Sequence, residues 1–207
     1  MTALMINMMA PTPQYEDEFH DWYDTEHMPG RARLPGFLSA NRFVCVEGWP
    51  RYAAWYDLES LDVLTSPAYQ AVSGTNTSPW SRRLVPKTHG YFRALGVQTY
   101  PGGAVFGEKG ACNRVLVLRF RAPEEKAIPD ILSGLRALFD DRPQTVQSRL
   151  FRSEFGGLNY VAMVELRKPV SATDLDVSQF GEAAKCLDLV NLYQLYFRRG
   201  ATPPNTY

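Results

Sequence analysis

The chain has 207 residues, 45% of them hydrophobic and 21% charged, and Lys plus Arg matches Asp plus Glu at 22 each. This is the composition of a folded globular protein of one domain or two small ones. Without a basic run or stripe it offers no electrostatic footing for nucleic acid or a membrane surface, and no apolar run approaches the ~20 residues of a membrane span.

Residues 3–9 are apolar, lack a basic flank and stop near proline, which reads as a first strand and not as a signal peptide. Pro-Thr-Pro then opens a helix over residues 13–28, whose end is set by Pro29, because the residue before proline avoids α geometry. Strands are expected over 37–47 and 52–58, joined by a turn at Gly48-Trp49-Pro50. A second helix follows over 60–72, then the loop SGTNTSPW and a strand over 90–97. The Gly-rich stretch YPGGAVFGEKGA, residues 100–111, matches no phosphate-binding fingerprint and reads as a linker.

Beyond the linker the same order returns: strand 113–121, helix 123–140 with Pro129 marking its start, strands 144–153 and 158–167, helix 172–187, strand 189–198. The repetition is visible in the residues. Pro35 and Pro143, Gly48 and Gly156, Tyr52 and Tyr160 all stand 108 positions apart. Each half is thus a βαββαβ ferredoxin-like unit, repeat 1 covering 1–99 and repeat 2, mainly structural, covering 112–200, with a tail over 201–207. VLVLRF at 115–120 is apolar on both faces, so neither face is expected to be wet. The two sheets should therefore cover each other in one α+β, barrel-like body. Cys45, Cys112 and Cys186 are scattered and odd in number, which suits reduced, buried thiols of a cytoplasmic protein and neither a disulfide frame nor a zinc site.

Two of the three histidines lie in the first helix, in EFHDWYDTEHMP. At 3.6 residues per turn, His20 and His27 project within about 20° of one another, with Tyr23 and Asp24 beside that line. Tyr15, Phe19 and Trp22 form the stripe that faces the sheet, and Glu26 falls near the middle of it, an uncomfortable place for a carboxylate. His27 in the last turn would meet carbonyl ends that favour imidazolium. Histidine exchanges protons near neutrality, a carboxylate can orient its ring, and Tyr or Trp can hydrogen-bond a developing oxyanion. The same pattern also describes an ordinary solvated helix flank. A metal at His20, Asp24 and His27 is geometrically conceivable, but no second cluster completes a shell. Trp55 and Trp80 are placed as core and loop anchor, either of which could floor a pocket.

WYDTEHMPGRARLPGF, with RYAAWYDLES and SPWSRRL further on, resembles the dimeric α/β-barrel superfamily, and its EthD-like members above all. These carry W-Y-x-x-E-H-x-P-x-R at the end of the first helix, followed by P-G-F. Trp22, Tyr23, Glu26, His27, Pro29 and Arg31 match. The second half lacks the signature, reading LRAL around 135–138, which implies a tandem pseudo-dimer with one working site. The superfamily includes cofactor-free monooxygenases, muconolactone-type isomerases, polyketide cyclases, aldoxime dehydratases and haem-dependent chlorite-dismutase relatives. The resemblance implies a ligand cavity between sheet and helices and does not select among those chemistries.

The reading that results is a cofactor-independent enzyme acting on a small apolar, aromatic or polyketide-like molecule by proton transfer, of lyase, isomerase or cyclase type. His27, His20 and Tyr23 are the catalytic candidates, and Trp22, Asp24, Glu26, Trp55 and Trp80 the substrate-side candidates. No metal or cofactor is expected, and a homodimer is left open. The rival readings are a non-catalytic small-molecule-binding protein and a cofactor-free or haem-dependent oxygenase.

Overall fold

The computed structural model describes residues 1–196; the tail at 201–207 and the end of the strand expected over 189–198 lie outside them. Eight strands close into one barrel: β1 (Ala3–Pro11), β2 (Asn41–Glu47), β3 (Tyr52–Leu58), β4 (Thr88–Tyr100), β5 (Arg114–Arg121), β6 (Thr145–Ser153), β7 (Asn159–Leu166) and β8 (Leu187–Leu195). Their order around the barrel is β1-β3-β2-β8-β5-β7-β6-β4, every neighbour antiparallel. Each half contributes a four-stranded ferredoxin-like sheet, β4-β1-β3-β2 or β8-β5-β7-β6, and the seams between halves are β2–β8 and β4–β6. Closure abolishes free edges, so the intramolecular barrel expected from the two-faced apolar strands is what forms.

The inner faces meet in a core that includes Leu4, Ile6, Phe43, Trp55, Phe151, Met163 and Tyr193. The 108-residue repeat is built into it: Phe43 and Phe151, Ala53 and Val161, Trp55 and Met163 all point inward. The outer face of the first half packs beneath helices that carry Phe19, Trp22, Tyr23, Tyr69 and Leu84. That of the second half packs beneath Ile131, Leu135 and Phe139 of α5 (the later helix over Ile128–Phe139) and beneath Phe180.

The helices differ from expectation where proline and serine interrupt them. The first runs as α1 (Glu16–Trp22), a single wide π-turn (Tyr23–His27) and α2 (Met28–Ala32). It therefore passes through Pro29 instead of stopping at Met28. The expected 60–72 helix is two short pieces, a 3-10 turn (Leu61–Thr65) and α3 (Pro67–Gln70), and the end of the loop expected after it is the start of a further helix, α4 (Pro79–Leu84). Both α3 and α4 start at a proline behind a capping serine, Ser66 or Ser78, whose hydroxyl accepts from a backbone N–H in the first turn. The expected 172–187 helix is a 3-10 stretch over Val177–Cys186, broken at Gly181, where φ is 51°. The three cysteines are unpaired and half-buried instead of buried.

The 100–111 segment is more than a tether. Phe106 packs edge-on against Phe43 at the barrel mouth, with ring centroids 5.4 Å apart. The Phe106 and Gly107 amides donate to Asp57 Oδ2 (2.8 Å) and Glu165 Oε2 (3.1 Å). Asp57 and Glu165 are themselves repeat partners, and fully buried Arg149 lies between them, 2.6 Å from Asp57 Oδ1 and 3.4 Å from Glu165 Oε1. Burial pushes the Glu165 carboxyl up to about 7, against the opposing pull of Arg149. Removing one member of a buried ion cluster leaves uncompensated charge. Arg149→Met is expected to cost about 3–5 kcal/mol of stability, read as a lowered urea midpoint; an unchanged midpoint would show that the cluster does not tie the halves together.

Candidate functional site

The π-turn has a local cause. Proline offers no N–H, and its ring collides with the carbonyl four residues earlier. Widening the preceding turn relieves the collision, and here the Met28 N–H bonds to the Tyr23 carbonyl, five residues back. The inserted register separates the two histidines that α geometry would align, so the expected shared direction does not occur.

His20 turns into a polar network away from the cavity described below. Its Nδ1 accepts from Arg42 Nη2 at 2.9 Å, which requires that nitrogen to be unprotonated. Its Nε2 is 3.2 Å from the Tyr52 hydroxyl, which donates to Glu16. The ring also stacks on Tyr196, with centroids 4.7 Å apart. Asp24 is likewise engaged, in an ion pair with Arg42. Arg42 lies 4.4 Å from the centre of the Tyr23 ring, so this network backs the site from behind.

His27 faces the other way. Its ring packs against Trp22 and Tyr23, with centroids 4.4 Å and 5.1 Å away. It lines a cavity of about 150 Å3 between the helix and the outer face of β1 and β4, shared with Met5, Asn7, Tyr69, Tyr91, Arg31 and Arg93 among others. Among the described residues its nitrogens have no hydrogen-bond partner. Burial, helped by the Arg31 and Arg42 charges, pushes its pKa down to about 3. This corrects the expectation of a helix end favouring imidazolium: α2 continues the helix, and desolvation beside guanidinium groups dominates. Burial also holds the Tyr23 phenol above its ordinary value, so a neutral imidazole and a neutral hydroxyl face the cavity.

A second cavity of about 200 Å3 touches the other side of His27 and Arg31 and includes Glu26, Ser78 and Ser81. The π-turn swings Glu26 off the apolar stripe, where Ser78 donates to it. Ser78 Oγ lies 2.9 Å from Ser81 Oγ, which accepts from Trp22 Nε1 at 3.0 Å. These bonds fix the indole that walls His27.

Trp55 lies inside the barrel, stacked on Phe43 with centroids 3.3 Å apart, on the opposite side of the sheet from His27. Trp80 packs over the helices and donates to Glu18 at 2.8 Å, and neither tryptophan lines the two cavities. Arg31 appeared in the sequence signature without a role. Asn7, Tyr69, Tyr91 and Arg93 come from distant elements and carried no local signal. Among the described residues, no group of three His, Cys, Asp or Glu side chains could hold a metal. Nor does the cavity suit haem, since about 150 Å3 falls below the roughly 300–1,000 Å3 of sites for drug-sized ligands.

No family model matches the sequence, and no curated protein does. Solved structures do match. An anthrone oxidase-like protein superposes with TM-score 0.67 at 10% identity, covering 95% of this chain and 91% of its own. Chlorite dismutase from Candidatus Nitrospira defluvii, in complex with imidazole, gives 0.55 at 12%, covering 94% and 90%. A protein of Lactobacillus acidophilus NCFM proposed to be a monooxygenase gives 0.54 at 9%, covering 94% and 93%. The chain has the dimeric α/β-barrel fold. At these identities the shared property is that fold, which here closes within one chain. No helix among the described residues is long and apolar enough to cross a membrane.

The electrostatics of this α/β-barrel site carry a sign. His27 binds its proton more weakly folded than unfolded, so its contribution to stability is complete above about pH 6.5. That contribution is lost as pH falls towards the folded value of about 3. NMR titration of the His27 ring should show neutral imidazole from about pH 8 down to about pH 5, whereas a midpoint near the ordinary histidine value would contradict the burial.

Proposed function

We propose that this protein is a small-molecule enzyme whose first chemical act is removal of a proton by His27. The observation that carries the proposal is the imidazole of His27, free of hydrogen-bond partners among the described residues and facing a cavity walled by aromatic rings; its burial beside Arg31 favours the neutral form. A substrate with an acidified C–H or O–H, next to a carbonyl or on an electron-rich ring, would lose that proton to a His27 nitrogen. The electron pair moves to the substrate oxygen as an enolate or phenolate, towards which the Tyr23 hydroxyl can donate. Return of the proton at another carbon completes an isomerisation. In a lyase the enolate electron pair instead expels a β-leaving group, which takes the proton. In a cyclase it forms a carbon–carbon bond to a second carbonyl of the same substrate, whose oxygen takes the proton. A base of such low affinity for protons works only if its partner compensates, and the developing anion does so by offsetting the guanidinium charge beside the ring.

Within this reading Trp22 and Tyr23 hold the substrate. His20 and Asp24 act through Arg42 as positioning residues for the Tyr23 ring, and Glu26 steadies Trp22 through the two serines. An oxygenase outcome begins from the same anion, which can surrender electrons directly to O₂. The oxidase-like and monooxygenase-like structures of the same fold favour that second reading, and oxygen uptake coupled to turnover distinguishes it.

With a turned-over substrate in hand, His27→Ala should lower kcat by roughly 10²–10⁴-fold. His27→Gln should retain ligand binding while losing turnover. Undiminished turnover in both variants would remove His27 as the proton carrier and leave a binding protein.

A further inference from the structure

We infer that the ligand of the His27 cavity is a compact carboxylate with an apolar, single-ring body, held by Arg31 and Arg93. The inference takes that cavity as the substrate site and so rests on the proposed function.

The other buried arginines that carry ion pairs are each neutralised by carboxylates. Arg42 is ion-paired with Asp24, and Arg149 sits between Asp57 and Glu165. Arg31 is also buried, at 8% exposure, yet has no carboxylate partner among the described residues. Its one hydrogen bond there is from Nη2 to the Val72 carbonyl at 2.8 Å, and its guanidinium lies 5.0 Å from the centre of the Tyr69 ring. Arg93 meets the same tyrosine from the other end, Nη2 donating to the hydroxyl at 3.1 Å, while its Nε is sealed from solvent with no partner. Two guanidinium groups thus flank Tyr69 at the wall of a cavity whose lining includes no Asp or Glu. A desolvated cation without a counter-ion is costly, and the planar donor fork of arginine matches a carboxylate.

The remaining wall decides what the anion is attached to. Met5, Met9, Trp22 and Val85 line the same space, and a cavity of about 150 Å3 equals the liquid volume of about five waters. That suits one ring and a carboxylate, with the ring brought against Trp22 and within reach of His27. It does not suit a polycyclic body.

Calorimetric titration of the full chain with benzoate, phenylacetate, benzamide and inorganic phosphate tests this. Saturable binding of at least one of the two acids is expected, with benzamide and phosphate each weaker by about tenfold or more. Arg93→Gln, on a strand with part-exposed surroundings, should weaken the acid by about tenfold, and Arg31→Gln by at least as much. His27→Gln should still bind it, which separates the anion site from the proton-transfer reading. Binding of the acid should also raise the His27 pKa in the unmutated chain, by placing negative charge beside Arg31. Failure of both acids to bind, equal binding of benzamide, or an acid affinity unaltered in Arg93→Gln would overturn the inference. Phosphate binding as tight as the acids would overturn its apolar part.

Discussion

A proline in the middle of a helix has to be accommodated by the turn before it, and in this chain that single constraint shapes the site. The wide turn over Tyr23–His27 lets the helix continue through Pro29 to Ala32. It also shifts the register, so that His27 and Arg31 come to line one cavity while His20 stays with Arg42 and Tyr52. Glu26 leaves the apolar stripe for Ser78. In an unbroken α-helix the two histidines would lie together and a carboxylate would face the sheet.

The barrel supplies the rigid wall against which this helix is read. Its two halves repeat the same inward residues and join through Asp57, Arg149 and Glu165, with the inter-repeat segment latched across one mouth. The duplication stops at the site. In the second half, Leu135 and Phe139 stand 108 positions after His27 and Arg31, and both are buried in a packed apolar cluster. One repeat keeps a cavity lined by aromatic and apolar side chains with His27, Arg31 and Arg93 among them, and the other fills the corresponding space with core packing.

The architecture was legible because it follows from period, punctuation and repetition. The strand over Tyr52–Leu58 falls where alternation put it, and the two-faced apolar strand over 115–120 already required a covering sheet. The aromatic wall at Trp22 and Tyr23 was equally visible. What failed was helical phase: a spacing argument assumes uniform turns, and Pro29 breaks that assumption, taking with it both the shared direction of the histidines and the expected imidazolium. Trp55 was ambiguous for a different reason. Its neighbours Ala54 and Tyr56 face the helices while it faces the barrel axis, and composition alone does not say which side of a two-sided apolar strand holds a ligand. Arg93 and Tyr69 were out of reach because they meet His27 only through the tertiary fold.

The site rests on the His27 imidazole sharing one small space with the guanidinium groups of Arg31 and Arg93, which have no carboxylate partner among the described residues. A crystal structure of the protein grown with benzoate measures that directly. It should show the carboxylate within hydrogen-bond reach of Arg31, the ring against Trp22, and His27 turned towards it. A solidly filled space, or a His27 ring directed into bulk solvent, would contradict the account.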